Sequence, residues 1–200
     1  MNTIDGLERL EALYGSPAPR AVDKVRSRIT PRYRRWLAQS RFCVLTTVGP
    51  QGTDASPRGD VGPVVRIVDD RTLHLPDWRG NDRIDSLRNI VVDGRVSLLF
   101  MIHGCDNVVR VNGRAVITAD ADVTGTFEEG GRHPRTVVVV RLEEVYFQCA
   151  KALMRAALWD PSTQGRDLPT AGEFVQEADP DFDGASYDAG YADYARMRLW

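Results

Sequence analysis

Cysteine and histidine are scarce in this chain, and the few present stand apart from one another. Cys43, Cys105 and Cys149 are widely spaced and odd in number, with no C-x-x-C pair. That excludes a disulfide framework and gives no support to a zinc site or to dithiol exchange. His74, His103 and His133 are isolated, so no H-E-x-x-H-type spacing exists and no metal site is expected. No apolar run approaches the roughly 20 residues of a membrane span. The opening residues MNTIDGLERL carry acids where a secretory signal would carry bases. The expectation is a reduced, cytoplasmic protein with no membrane partner.

A strong excess of either charge is missing too, with 26 basic residues against 28 acidic ones. The net charge of −2 divides unevenly: residues 160–200 hold nine acids against three arginines, leaving residues 1–159 at +4. A basic body with an acidic tail is one format of a nucleic-acid binder. Here the arginines are scattered among strands and turns, and neither LLFMI nor VRVNGRAV interleaves aromatic residues with basic ones as a stacking platform would. A small anionic ligand suits the modest excess better, and no nucleic-acid partner is expected.

What is present is an ordinary globular composition, 42% hydrophobic and 27% charged over 200 residues, enough for one domain with an appendage. Apolar spacing predicts an amphipathic helix over Ile4–Tyr14, ended by Gly15 and Pro17, and a second from Pro31 to about Gln39. From Arg41 the period shortens. Strands are expected at Phe42–Val48, Asp54–Pro57, Pro63–Val68, Arg71–Leu75, Arg95–Ile102, Asn107–Thr118 and Thr136–Gln148. RVSLLFMI is continuous enough to be buried on both faces. About six strands with hairpin-scale connections and one short inserted helix describe a mainly β (α+β) antiparallel barrel, closed on itself; no strand–helix–strand rhythm suggests a doubly wound sheet. Short helices follow at CAKALMRAALW, Ala171–Glu177 and Ala185–Met197. The chain thus divides into N-terminal helices packed on the barrel (1–40), the barrel domain (41–159) and an acidic C-terminal arm (160–200).

The stretch LPDWRGNDRIDSLRN, Leu75 to Asn89, carries the chemistry. It leaves a strand at Pro76, turns through Gly80 and opens a helical pattern near Asn81, with Arg79, Arg83 and Arg88 inside it and Arg66 on the preceding strand. A turn that presents Asn, backbone N–H groups and arginines at a helix start can hold a phosphate. The same pattern also describes an ordinary connection with solvated arginines. On the strand after Asn107, alternation sets Arg110, Asn112 and Arg114 on one face and Val109, Val111, Ala115 and Ile117 on the other.

The run VVRIVDDRTLHLPDWRGNDR, through SLRNIVVDGRVSLLFMI, to VRVNGRAVI resembles the FMN-binding split-barrel proteins related to pyridoxamine 5′-phosphate oxidase. The likeness covers about Arg41 to Trp159, and EVYFQCAKALMRAALWDP is similar to the end of one subgroup. It implies a Greek-key split barrel of six antiparallel strands with flanking helices, and a homodimer with FMN at its interface. Arg66 stands at the family's basic strand position for the phosphate, Asn81 at its small polar turn position and Arg83 at the basic residue after that. Pro76 and Asp77 occupy the stretch whose backbone passes the flavin ring. Asp82 replaces a second arginine, so it is expected to point away from the phosphate. The family's flavin-contacting Gln falls at Val108, which leaves Asn107 or Arg110 for the pyrimidine edge of the ring. Arg58, and Lys151 or Arg155, are candidates to complete the pocket from either subunit, and Trp78 to cover the ring or to pack on the partner.

One departure bears on function. The oxidase's C-terminal Arg-x-His pair, which holds the pyridoxal substrate, has no counterpart in CAKALMRAAL. The resemblance therefore implies an FMN-dependent oxidoreductase of another small molecule, for which no general base is assigned. The alternative is a non-catalytic protein that carries flavin, haem or a deazaflavin.

Overall fold

Alternating apolar residues from Phe42 onward generate seven strands. β1 (Phe42–Gly49) and β2 (Gly52–Gly59) form one hairpin, and β3 (Arg66–Ile67) and β4 (Thr72–Asp77) a second. β5 (Arg95–Met101) and β6 (Val108–Thr118) form a third, and β7 (Thr136–Gln148) ends the series. In this computed structural model, which describes residues 1–200, every ladder is antiparallel and the sheet order is β2-β1-β5-β6-β7-β4-β3. The expected closure does not occur. β2 and β3 are free edges that share no ladder, so the split barrel is an open seven-stranded sheet.

The strand expected over Pro63–Val68 shrinks to two residues because its first half is otherwise engaged. Val64 N donates to Ser40 O at 2.8 Å, and the side chains of Val64 and Val65 are buried. β5 is not buried on both faces. Val96, Leu98 and Phe100 face the core, while Ser97, Leu99 and Met101 are half-buried. The core gathers Cys43 and Leu45 of β1, Leu73 and Leu75 of β4, Val109 and Val111 of β6, and Val138 and Val140 of β7.

Two helices complete this core. Leu37 of α3 (Pro31–Leu37) and Ile90 of α4 (Asp85–Val92) are buried in it. α1 (Leu7–Tyr14) buries none of its residues, so only the later part of the N-terminal segment packs on the sheet. α2 (Pro19–Asp23) and α5 (Ala121–Thr124) are single turns too short for periodicity to reveal. α4 begins four residues later than the sequence suggests. Asp82 and Ile84 adopt φ of 59° and 51°, and Asn81 Oδ1 accepts from Arg83 N at 3.2 Å, which keeps residues 81–84 in a turn.

After β7 come α6 (Lys151–Ala156), α7 (Ala171–Ala178) and α8 (Gly184–Arg196). α7 starts in a capping box between Thr170 and Glu173. α7 and α8 approach closely where Gly172 meets Gly184; a Cβ on Gly184 would lie 2.8 Å from Gly172 O. No helix is long and apolar enough to cross a membrane.

Gly113 sits at the register shift between β6 and β7, where a Cβ would strike the Arg141 carbonyl of the neighbouring strand. Gly113→Ala should therefore destabilise by about 1–3 kcal/mol, the range for forced overpacking. Gly190→Ala, inside α8 with nothing within 4 Å, should stabilise by about 0.4–1 kcal/mol. Urea unfolding of both variants checks the contrast.

Candidate functional site

The gap between the sheet edges becomes a cleft of about 1540 Å³. One wall is β2, from Asp54 to Gly59. The floor is the end of β4, Leu75 to Asp77, with the turn 78–84 and the start of α4 beyond it. Residues 132–136 and the C-terminal end of α8 complete the lining.

Side chains, not a backbone ladder, fix the width of this gap. Arg58 Nη1 bonds the Asp77 carboxylate across it, and both side chains are about four-fifths buried. Arg58 Nε donates to Ser56 Oγ at 3.0 Å, and Ser86 Oγ donates to Asp54 and reaches Ser56 Oγ at 3.3 Å. Trp78 Nε1 donates to Asp60 Oδ2 at 2.9 Å. Six neighbouring side chains are thereby engaged, yet Arg58 has five N–H donors and its Nη2 group makes no bond in the protein. Arg83 is similar: Nε meets Asp85 Oδ2 at 2.9 Å, and both amino groups are uncommitted on a largely exposed side chain.

Asp82 turns its carboxylate to Arg135 at 3.3 Å, so the acid in the turn has a partner of its own. At the floor, Thr136 lies opposite Asp77 in the β4–β7 register. Its Oγ1 is buried and has no hydrogen-bond partner in the protein. A hydroxyl left in that state costs about 1–3 kcal/mol unless a bound molecule completes it.

Of the residues expected at the site, Arg58, Pro76, Asp77, Asn81 and Arg83 line this cleft. Arg66 does not. Its guanidinium bonds both Thr126 Oγ1 and Thr126 O, the latter at 2.8 Å, and stacks 4.1 Å from the Phe127 ring centroid. Asn107 lines a separate cavity of about 720 Å³ with Lys24, Arg32, Tyr33, Trp36 and Phe147. Arg110 stacks on Tyr146, 5.5 Å from its centroid, and Lys151 and Arg155 are exposed on α6. A single chain therefore gathers five of the nine expected residues.

Sequence reasoning passes over Thr136, Asp60, Arg132 and Arg135, and of the α8 face it sees apolar residues to bury against the barrel or a partner but not a cleft wall. Only α8 leaves a signal, its tyrosines at 187, 191 and 194, which share a helical face.

The family model described as pyridoxamine 5′-phosphate oxidase matches residues 29–149, and the chain belongs to that family. No curated protein matches it in sequence. Among solved structures, a single-residue variant of HupZ from Group A Streptococcus is 18% identical, with a TM-score of 0.50 over 60% of this chain and 99% of that one. General stress protein 26 from Bacillus anthracis is 17% identical over 57% of this chain and 88% of its own, at a TM-score of 0.43. PhzG from Burkholderia lata, solved with tetrahydrophenazine-1-carboxylic acid, is 14% identical over 66% and 85%, at 0.46. At these identities the first supports the fold alone.

Cys43 pairs in register with Arg58 and points into the core. Burial pushes its thiol up to about 12, although the Arg58 charge pulls the other way. A disulfide reagent at pH 8 should consequently label Cys149, which is exposed, and Cys105, which is half-buried. Cys43 should react only on unfolding, and peptide mapping of the labelled native protein checks this.

Proposed function

We propose that this protein binds FMN in the cleft between β2 and β4 and acts as an FMN-dependent oxidoreductase on a small molecule. The observation that carries the reading is the orphaned Thr136 hydroxyl, on the floor of a cleft whose Arg58 and Arg83 retain free guanidinium donors. A dianionic phosphate is suited to two fixed guanidinium groups, and the Asn81 turn between them adds a polar bend. The Pro76–Asp77 backbone runs along the floor, where a flat ring has room beside it. FMN would supply hydride transfer, while the protein supplies position and charge.

Arg66 is not part of this phosphate set, because Thr126 and Phe127 hold it elsewhere. The Asn107 cavity and the cleft share no lining residue. For Asn107 or Arg110 to meet the same flavin, a second copy must bring them. The reading therefore includes a homodimer in which each cleft is completed by the other chain.

Purified protein should be yellow and should release FMN on denaturation. Arg83→Ala should weaken FMN by about 1.5–3 kcal/mol, the range for hydrogen bonds to charged groups, and riboflavin far less, whereas Arg58→Ala, which also leaves Asp77 unpaired, should weaken both. Arg66→Ala should lower stability and leave FMN affinity unchanged. Equal losses of FMN and riboflavin in Arg83→Ala would make that arginine structural, and a colourless protein that refuses added FMN would sink the reading. Bleaching by NADH, NADPH or a reduced deazaflavin then separates an oxidoreductase from a carrier.

A further inference from the structure

We infer that the arm from Gly184 to Trp200 is the substrate-side wall of the cleft, and that it selects planar aromatic anions. The inference rests on the flavin reading for the opposite side of the cleft.

The volume gives the first reason. Sites for one small molecule hold about 300–1,000 Å³, and this cleft, at about 1540 Å³, leaves space beyond a single ligand. The chemistry of the wall gives the second. α8 lines the cleft with Tyr187, Tyr191 and Tyr194, and beyond it Trp200 stands edge-on to Trp78, with centroids 5.1 Å apart and planes at 80°. Arg198 lies 4.7 Å from the Tyr194 ring centroid and forms no ion pair with any carboxylate. Rings favour a flat conjugated partner, and a guanidinium beside them, lacking an acid, favours one that carries a negative charge.

The disposition of the arm's acids agrees with this. Although residues 160–200 are strongly acidic, Asp188 accepts from Gly172 N at 2.8 Å and Asp193 pairs with Arg196 at 3.0 Å. The residues that reach the cleft from the arm are tyrosine, alanine, leucine, arginine and tryptophan. The arm is also held by its backbone. Arg132 Nη1 donates to Met197 O at 3.1 Å and to Trp200 O at 2.9 Å, which leaves the side chains of Arg198 and Trp200 available to a ligand.

The test uses the full chain, with and without FMN, titrated with three probes: 2-naphthoate, its neutral analogue 2-naphthamide, and the saturated decahydronaphthalene-2-carboxylate. Perturbation of the flavin spectrum and quenching of tryptophan fluorescence report binding. Naphthoate should bind about tenfold more tightly than either control, a difference of about 1.4 kcal/mol. Arg198→Ala should bring naphthoate down to the level of naphthamide, and Arg198→Lys, which keeps the charge, should restore part of the difference. Tyr194→Ala and Trp200→Ala should weaken both aromatic probes, while FMN affinity stays at the parent value. Three probes that bind alike, or none that binds, would overturn the inference, as would arm variants that lose FMN in step with naphthoate. Failure of the flavin reading is visible separately, as parent protein that discriminates the probes by tryptophan fluorescence but takes up no FMN.

Discussion

The Arg58–Asp77 pair is the constraint on which the site depends. Two sheet edges joined by a backbone ladder would lie about 4.8 Å apart and leave no room between them. Here β2 and the end of β4 that runs past β3 are spanned by side chains, and an arginine bridges the separation. The pair is mostly buried, so removing either member would strand the other charge away from water. Ser56, Ser86 and Asp54 extend the contact to the first turn of α4, and Asp60 extends it to Trp78. The turn 78–84 is consequently anchored at both of its ends, to β2 and to Asp60 just beyond it. An open barrel would otherwise be a sheet with two sticky edges; this one has a braced mouth.

The same pair explains what the sequence could and could not disclose. Hairpins, the main strands and the buried faces follow from alternation, and the structure agrees with it for β4, β6 and β7, while β5, expected to be buried on both faces, buries one. α7 and α8 also fall within a residue of their expected bounds, since caps and apolar spacing are local signals, while α6 is shorter than the stretch expected for it. Arg66 and Arg58 were not distinguishable that way. Each is an arginine on a short strand, and the difference between them lies in partners far along the chain. Arg66 is captured by Thr126, 60 residues away, and Arg58 by Asp77, 19 residues away. Barrel closure failed for a related reason. Strand count and strand length are local, whereas the pairing of the last edges depends on Val64 being drawn to Ser40. The late start of α4 has a local cause, but it lies in two residues, Asp82 and Ile84, with φ values that neither side chain advertises.

The charge asymmetry of the chain takes on a different meaning once the arm is placed. An acidic tail beside a basic body suggests a tail that neutralises the body's ligand site. The structure turns those acids into internal fastenings. Asp183 and Asp160 accept from backbone N–H groups at the starts of their own helices, and those bonds hold both carboxyls below the usual range. The arm's anionic character is thus spent on its own termini and turns, and what it presents to the cleft is aromatic and cationic.

This division clarifies why one chain offers two cavities with no residue in common. The cleft holds the turn arginines, the floor hydroxyl and the aromatic arm, while the Asn107 cavity joins Lys24 and Arg32 to Tyr33, Trp36 and Phe147 with no carboxylate in its lining. The cleft lining is nearly balanced in charge, six arginines against five aspartates, so the clearer cation excess lies in the Asn107 cavity, with Lys24, Arg26 and Arg32. Two copies arranged so that each cleft faces the other's Asn107 cavity would bring like chemistry onto a single bound molecule. The cation excess at the joint would then be offset by the ligand's own phosphate. In the proposed reading a second copy would complete the site, and the cations left unpaired in each chain are where its anion would sit.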